Sequence, residues 1–336
     1  MPLRFLLSRL LLAVLSLWGV SVLVFAILRI LPGDPAILMA PVGSTAQDIE
    51  RVRQDFGLTG SWWAQYSAFF LSLCRGNFGR SLWLQQDALR VILERLPATF
   101  ELSLTALVLA TVGGILLGAC SVWRRRGWLE SATVGLGTLG IAVPNFVWGL
   151  LLIVIFGAIL QLLPISGRIA PEYEAAEVTG SAIVDVLLRR DPAALGSVLA
   201  HLLLPASALA LPLLSGVFRT VRSDLLAALG EEYVVTERMK GLGEARILFW
   251  RALRNALIPT ATLVGVQFGF LIGGTVLIET IFAWPGIGQL TLQAFQYRDF
   301  PLIQGIVLVY AMMVVLSNLA VDMAYAYLNP RIRLAV

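Results

Sequence analysis

Charged residues are scarce in this chain. They make up 14% of its 336 residues, against 58% that are hydrophobic, and the mean hydropathy is +0.83. A soluble domain carries about 25% charge, so the shortage points to a polytopic membrane protein. Histidine is limited to His201, which excludes a multi-histidine metal site within the chain; no metal ligands are assigned. Two cysteines, Cys74 in a polar loop and Cys120 in an apolar run, exclude a disulfide framework. No Gly-x-x-x-x-Gly-Lys-Ser/Thr run occurs, so the chain has no phosphate loop of its own, and Gly286-Ile-Gly288 lacks the lysine that such a loop needs. The apolar spans hold no pair of acidic residues. An intramembrane hydrolase is therefore a remote reading, and no catalytic residue is assigned. An isoelectric point near 9.4 raises the question of nucleic acid. The basic residues sit at membrane edges instead, where they set topology, and no nucleic-acid partner is expected.

Six stretches have the length and apolarity to cross a bilayer: Leu10–Leu28, Leu102–Trp123, Val134–Leu160, His201–Phe218, Asn255–Ile278 and Phe300–Val321. Backbone groups in hydrocarbon must bond internally, so each is read as a helix and the fold as an all-α polytopic membrane protein with six transmembrane helices. The first stretch is too long for a signal-peptide core and is followed by Leu-Pro-Gly-Asp-Pro instead of a cleavage site, so it is read as retained. With the N-terminus inside, inner regions hold Arg4, Arg9, Arg124–Arg126, Arg219, Arg222, Arg238, Lys240, Arg246, Arg251, Arg254, Arg331 and Arg333, which is 14 of the 25 basic residues. Both termini are expected in the cytoplasm. The chain divides into a cytoplasmic N-terminus (1–9), a first transmembrane helix (10–30), an outer segment (31–98) and a five-helix core (99–336). The core carries an inner loop at about 219–255.

The outer segment opens with a Pro-Gly-Asp-Pro turn at 32–35 and offers short helices around Thr45–Phe56 and Trp62–Leu73. The aromatics of the second, Trp62, Trp63, Tyr66, Phe69 and Phe70, suit interfacial anchoring. A second outer segment, 167–200, is acidic at Glu172, Glu174, Glu177, Asp185 and Asp191, as a solvated face would be.

The inner loop is the most informative segment. Helix formers run over Val221–Leu229 and then Glu231–Met239, a Gly-Leu-Gly turn follows at 241–243, and a second helix, Glu244–Leu257, returns to the membrane at Pro259. Tyr233, Val234 and Met239 are apolar groups near the turn, available to a partner's groove. The residues alone leave two readings open: a docking element, or an ordinary basic loop.

The run Tyr233-Val-Val-Thr236-Glu237-Arg-Met239-Lys240-Gly241-Leu242, followed by Ala252-Leu-Arg254-Asn-Ala-Leu-Ile-Pro259, resembles the EAA loop of bacterial ABC-importer permeases of the peptide/nickel (dipeptide/oligopeptide) group. That group has alanines where this chain has Glu237 and Met239. The resemblance extends through Gly76–Ser81, Arg95–Leu102, Pro144-Asn-Phe, Leu163–Arg168, Glu279–Gly288, Arg298–Pro301 and Asn329–Arg333. It implies a type I ABC-importer permease fold in the bacterial inner membrane, with 31–98 in the periplasm. It implies contact with ATPase subunits through Tyr233, Thr236, Glu237, Lys240, Gly241, Leu242 and Arg254. The implied partners are a homologous second permease, two cytoplasmic ATPases that hold ATP and Mg2+, a periplasmic substrate-binding protein, peptide substrate and membrane lipid. No cofactor is expected on this chain. Nickel or a metal chelate is the alternative substrate.

Polar groups within spans are functional candidates. Asn145, Gln267, Gln304 and Asn318 are the candidate pathway residues, with helix–helix hydrogen bonding as the competing role. Glu279 is expected at an outer loop as a gate or binding-protein contact, and Asp322 is expected to meet a basic inner segment. His201 is expected to pack at an outer helix end. Gly135, Gly137 and Gly140 are expected to permit close helix packing.

Overall fold

The computed structural model describes residues 3–30, 36–37, 43–55, 60–123, 128–174 and 178–328. The Pro-Gly-Asp-Pro turn at 32–35, Arg124–Arg126, Glu177, the run Asn329–Arg333 and the side chain of Arg4 lie outside what is described. Among the described residues the fold is all helical, apart from one isolated bridge between Arg80 and Asp87. In chain order the helices are α1 (Leu3–Ile30), α2 (Ala46–Asp55), α3 (Trp62–Cys74), α4 (Ala88–Trp123), α5 (Trp128–Ala142) and α6 (Asn145–Ile159). They continue with α7 (Ala182–Arg189), α8 (Pro192–Leu229), α9 (Glu232–Met239), α10 (Glu244–Gly273), α11 (Val276–Ile281), α12 (Ile287–Gln296) and α13 (Phe300–Leu328).

Five of these helices, α1, α4, α8, α10 and α13, are long and apolar enough to span a bilayer alone. The third expected span is different. It is not one helix over Val134–Leu160 but a pair, α5 and α6, bent by 114°. Pro144 lies at the break. It has no N–H to donate and its ring keeps the preceding residue out of helical geometry. The fourth span starts well before His201. Asp191 caps α8, its carboxylate accepting from the N–H groups of Ala193 (3.0 Å) and Ala194 (3.1 Å), with Pro192 in the first turn. The fifth ends at Gly273 rather than Ile278, because the Gly274 N–H closes the helix onto the Phe270 and Leu271 carbonyls. At 38 residues α8 is about 57 Å long, well beyond a hydrocarbon core of about 30 Å, so it projects from the bilayer.

The core forms around α8. Glycines let its neighbours approach. Gly114 and Gly118 of α4 sit against Val217 and Val221, and Gly137 and Gly140 of α5 sit against Phe218 and Ser215. Gly135 faces open space and has no such role. The main buried cluster joins Leu102, Ala106 and Ala110 of α4 to Leu209, Leu213 and Val217 of α8, and takes in Leu271, Ile278 and Phe282. At the opposite pole from α7, a smaller cluster joins Ala119 and Val122 of α4, Leu225 and Ala228 of α8, and Leu248, Ala252 and Ala256 of α10. The N-terminal α1 packs on α13 and α3. Arg9 pairs with Asp322 at 3.2 Å, so Asp322 meets a basic group. Tyr66 and Phe69 of α3 pack on Phe25 of α1, and the Tyr66 and Ser21 hydroxyls share a hydrogen bond of 3.0 Å, whereas Trp63 is exposed.

A Cβ at Gly140 would collide with Ser215 Oγ and lie 2.7 Å from the Leu211 carbonyl. Gly140→Val is expected to cost about 1–3 kcal/mol through overpacking. Gly135→Ala, in open space, is expected to leave stability unchanged. Thermal melts of the detergent-solubilised variants check both.

Candidate functional site

The break at Pro144 opens a cavity of about 780 Å³ bounded by α5, α6, α8 and α10. Asn145 enters from the first turn of α6 and Gln267 from α10, so two of the four candidate pathway amides share one chamber. The Asn145 side-chain N–H reaches the Gly274 carbonyl at 3.4 Å, where α10 has already ended. α8 lines the chamber with one stripe at helical spacing: Leu209, Pro212, Leu213 and Gly216, then Arg219, Thr220, Ser223 and Asp224. The wall is therefore apolar along half its length and polar toward α9. Gln304 and Asn318 lie elsewhere. Gln304 is half-buried on α13, its side-chain nitrogen without a hydrogen-bond partner among the described residues. Asn318 is exposed beside the Arg9–Asp322 pair.

The segment between α8 and α10 folds as helix, turn, helix. Gly241 has φ +78°, a conformation that costs any residue with a Cβ, although space around it is open. A two-pronged pair closes the turn: Arg238 Nε donates to Glu244 Oε1 at 2.7 Å and its NH2 group to Oε2 at 3.1 Å. Glu237 sits between Lys240 (3.6 Å) and Arg251 (3.9 Å), and is more buried than either. The Asn255 amide donates to the Tyr233 hydroxyl at 3.2 Å. Thr236, Lys240 and Arg254 are exposed, and Leu242 and Tyr233 are half-buried. Val234 is fully buried, so it is not available to a partner; Met239, 81% exposed, and Val235 are. A π-helical turn at Ile247–Ala252 lies within the first part of α10.

At the opposite pole the stretches expected to mark loops converge. Glu101 of α4 accepts from Arg168 (NH2 at 2.5 Å, Nε at 3.1 Å), from the Ile183 N–H (2.7 Å) and from the Ser181 hydroxyl (3.2 Å). Arg168 also donates to the Gly180 carbonyl at 2.8 Å and lies over the Trp284 ring. Trp284 Nε1 donates to the Ala98 carbonyl at 2.9 Å. Glu279, expected to start an outer loop as a gate or binding-protein contact, is fully buried within α11. It accepts from the Thr99 hydroxyl (2.8 Å) and the Gln289 N–H (3.0 Å). Gly286 and Gly288 leave the room this contact needs, since a Cβ on either would run into the Glu279 carboxyl. Asp299, also buried, accepts from Ser81 (2.5 Å) and the Trp83 N–H (3.1 Å). His201 packs within α8, its Nδ1 2.8 Å from the Ser197 carbonyl, not at a helix end.

Residues 90–334 match the family described as "Binding-protein-dependent transport system inner membrane component", and 2–105 match its N-terminal companion, "Binding-prot-dependent transport system membrane comp, N-term". The chain belongs to this family of transport permeases. It therefore has the type I ABC permease fold, and its relatives are transport subunits. The di/tripeptide transport system permease protein DppB of Pseudomonas aeruginosa (strain UCBPP-PA14) is 38% identical over 98% of this chain and 99% of the relative. The dipeptide transport system permease protein DppB of Escherichia coli (strain K12) is 36% identical over the same shares. The probable D,D-dipeptide transport system permease protein DdpB of Escherichia coli (strain K12) is 40% identical over 95% of this chain and 94% of its own length.

Within this permease, sequence reasoning passed over Glu101 and Arg168. Both stood inside the quoted motifs, but nothing local marks them as partners across 67 positions. Arg219 and Asp224 were read as parts of the loop, not as a cavity wall; their helical spacing from Pro212 and Gly216 was the available signal.

Removing one member of the buried Glu101–Arg168 pair, as in Arg168→Ala, is expected to cost about 3–5 kcal/mol, because the other charge stays buried alone. Loss of folded yield or of melting temperature in the purified permease reads this. Burial raises the Glu279 pKa above 4.5, against the opposing hydrogen bonds from Gln289 and Thr99. A carboxyl with a raised folded-state pKa contributes stability that is full below its unfolded pKa and is lost as pH rises through the folded one. Melting temperature should therefore fall as pH climbs from 4.5 through that raised value, and Glu279→Gln should flatten this part of the profile.

Proposed function

We propose that this permease is the membrane subunit of an ATP-driven importer that carries di- or oligopeptides from periplasm to cytoplasm. The observation that carries the reading is likeness along essentially the whole chain to permeases named for dipeptide transport. The chamber supports it chemically. Its half-apolar wall and the Asn145 and Gln267 amides suit a cargo with both side chains and peptide groups. The permease is not itself an enzyme on this reading. ATP and Mg2+ belong to two cytoplasmic ATPases, a homologous second permease completes the membrane unit, and a periplasmic binding protein delivers the peptide. The chain lies in the inner membrane among its lipids, with both termini and α9 in the cytoplasm.

The stroke enters at α9. Tyr233, Thr236, Glu237, Lys240, Gly241, Leu242 and Arg254 form the ATPase-facing region, with Met239 and Val235 supplying exposed apolar contact. The Arg238–Glu244 pair makes the turn stiff, so a displacement of α9 is passed on instead of being absorbed. The small cluster of Leu225, Leu248 and Ala252 locks the ends of α8 and α10 together. Those two helices bound the chamber, so moving them as one body changes which side it opens to.

Gly241→Val forces a β-branched residue into left-handed geometry at roughly 1–2 kcal/mol. In liposomes holding the whole complex, ATP hydrolysis by the wild type is expected to rise with peptide-loaded binding protein. With Gly241→Val, peptide uptake per ATP is expected to fall by about tenfold. Full uptake by this variant, or uptake without the ATPases, would overturn the coupling. A binding protein that takes nickel or a metal chelate in place of peptides would redirect the substrate.

A further inference from the structure

The α9-facing half of the chamber holds two opposite charges for which the fold supplies no use. Arg219 and Asp224 both line it, with Thr220 and Ser223 between them on the same face of α8. Neither side chain makes an ion pair or hydrogen bond among the described residues. One Asp224 carboxylate oxygen is shut off from solvent and still has no partner. Asp224 as a whole is half-buried, whereas the buried carboxylates Glu101, Asp185, Glu279 and Asp299 each accept from at least two donors. A charge left without a partner among the described residues in the wall of a chamber is a candidate site for a counter-charge that arrives from outside.

We propose that Arg219 and Asp224 form a transient binding site for the two termini of a passing peptide, Asp224 taking the ammonium and Arg219 the carboxylate. This rests on the peptide-import reading above and names the residues that act on cargo. The two positions are five residues apart on α8, a rise of about 7.5 Å. A fully extended dipeptide spans about 7 Å. A zwitterion of that length meets a complementary charge at each end, while Thr220 and Ser223 offer hydroxyls to the peptide group between them. Asn145 and Gln267, in the same chamber, are neutral amides suited to the peptide bond. The cargo thus meets neutral hydrogen-bonding groups and a charged pair within one wall. Because the pair lies on the stretch of α8 leading to α9, motion of α9 would alter how it faces the cargo, so the site can be weak enough to release.

The test uses the assembled complex in liposomes with its binding protein and a dipeptide with free termini. Peptide uptake per ATP hydrolysed is measured for wild type, Asp224→Asn, Arg219→Gln and the exchanged pair Arg219→Asp with Asp224→Arg. The single variants are expected to lose roughly fivefold in uptake per ATP, with subunit composition and stimulated ATP hydrolysis kept. The exchanged pair is expected to recover part of that loss, since a zwitterion can bind it reversed. Wild-type uptake of peptide with unchanged ratios in both single variants would overturn this proposal alone. Loss of subunits from the Asp224→Asn complex would assign the carboxylate to assembly and overturn it too. No peptide uptake by the wild type overturns the import reading and this proposal with it.

Discussion

The buried pair of Glu101 and Arg168 is the constraint on which the arrangement of the α7 pole depends. Two charges out of water are tolerated only when well partnered, and here Glu101 accepts from Arg168, Ser181 and Ile183 while Arg168 also donates to the Gly180 carbonyl. The requirement reaches far along the chain. It brings the segment after α6 onto α4, and it draws in the start of α7 through Ser181 and Ile183. Two residues earlier on α4, Thr99 receives α11 and α12 through Glu279 and the Ile287 N–H. Four residues of one helix, 98–101, thereby gather most of the connections at this pole, and the glycines at 286 and 288 are there because the Glu279 carboxyl must come so close.

The α9 pole is built differently. Among the described residues its contacts are mostly exposed ion pairs and one small apolar cluster, without a buried charge network of comparable density. One pole is fastened by buried polar bonds and the other by surface pairs. α8 connects them. It lines the chamber with its middle, is capped by Asp191 at one end and turns into α9 at the other. A single helix about 57 Å long thus joins the turn to the chamber.

Much of this was legible from the residues. Hydropathy marks the spans, because the solvent acts on each segment by itself. The turn at Gly241 is legible for the same reason, since left-handed geometry is a local demand that glycine meets. The Pro144 break was not, although proline lay in plain view: a proline inside an apolar run either kinks or breaks a helix, and here the 114° bend departs from the single span expected. Val234 shows the other limit. Beside Tyr233 and Met239 it reads as one more apolar group at a turn, and it is buried because α9 folds back over the start of α10.

The sequence by itself determined the membrane class, the helical content, the rough positions of the spans and the place of the turn at Gly241. Each of these follows from the chemistry of consecutive residues. Only the tertiary structure decided that Glu279 is buried, that Asn145 and Gln267 share a chamber while Gln304 and Asn318 do not, and that Arg219 and Asp224 look into it unpaired. Those outcomes depend on which helices meet. In an all-apolar bundle that is set by small residues and scattered polar contacts distant in sequence, and no local pattern records them.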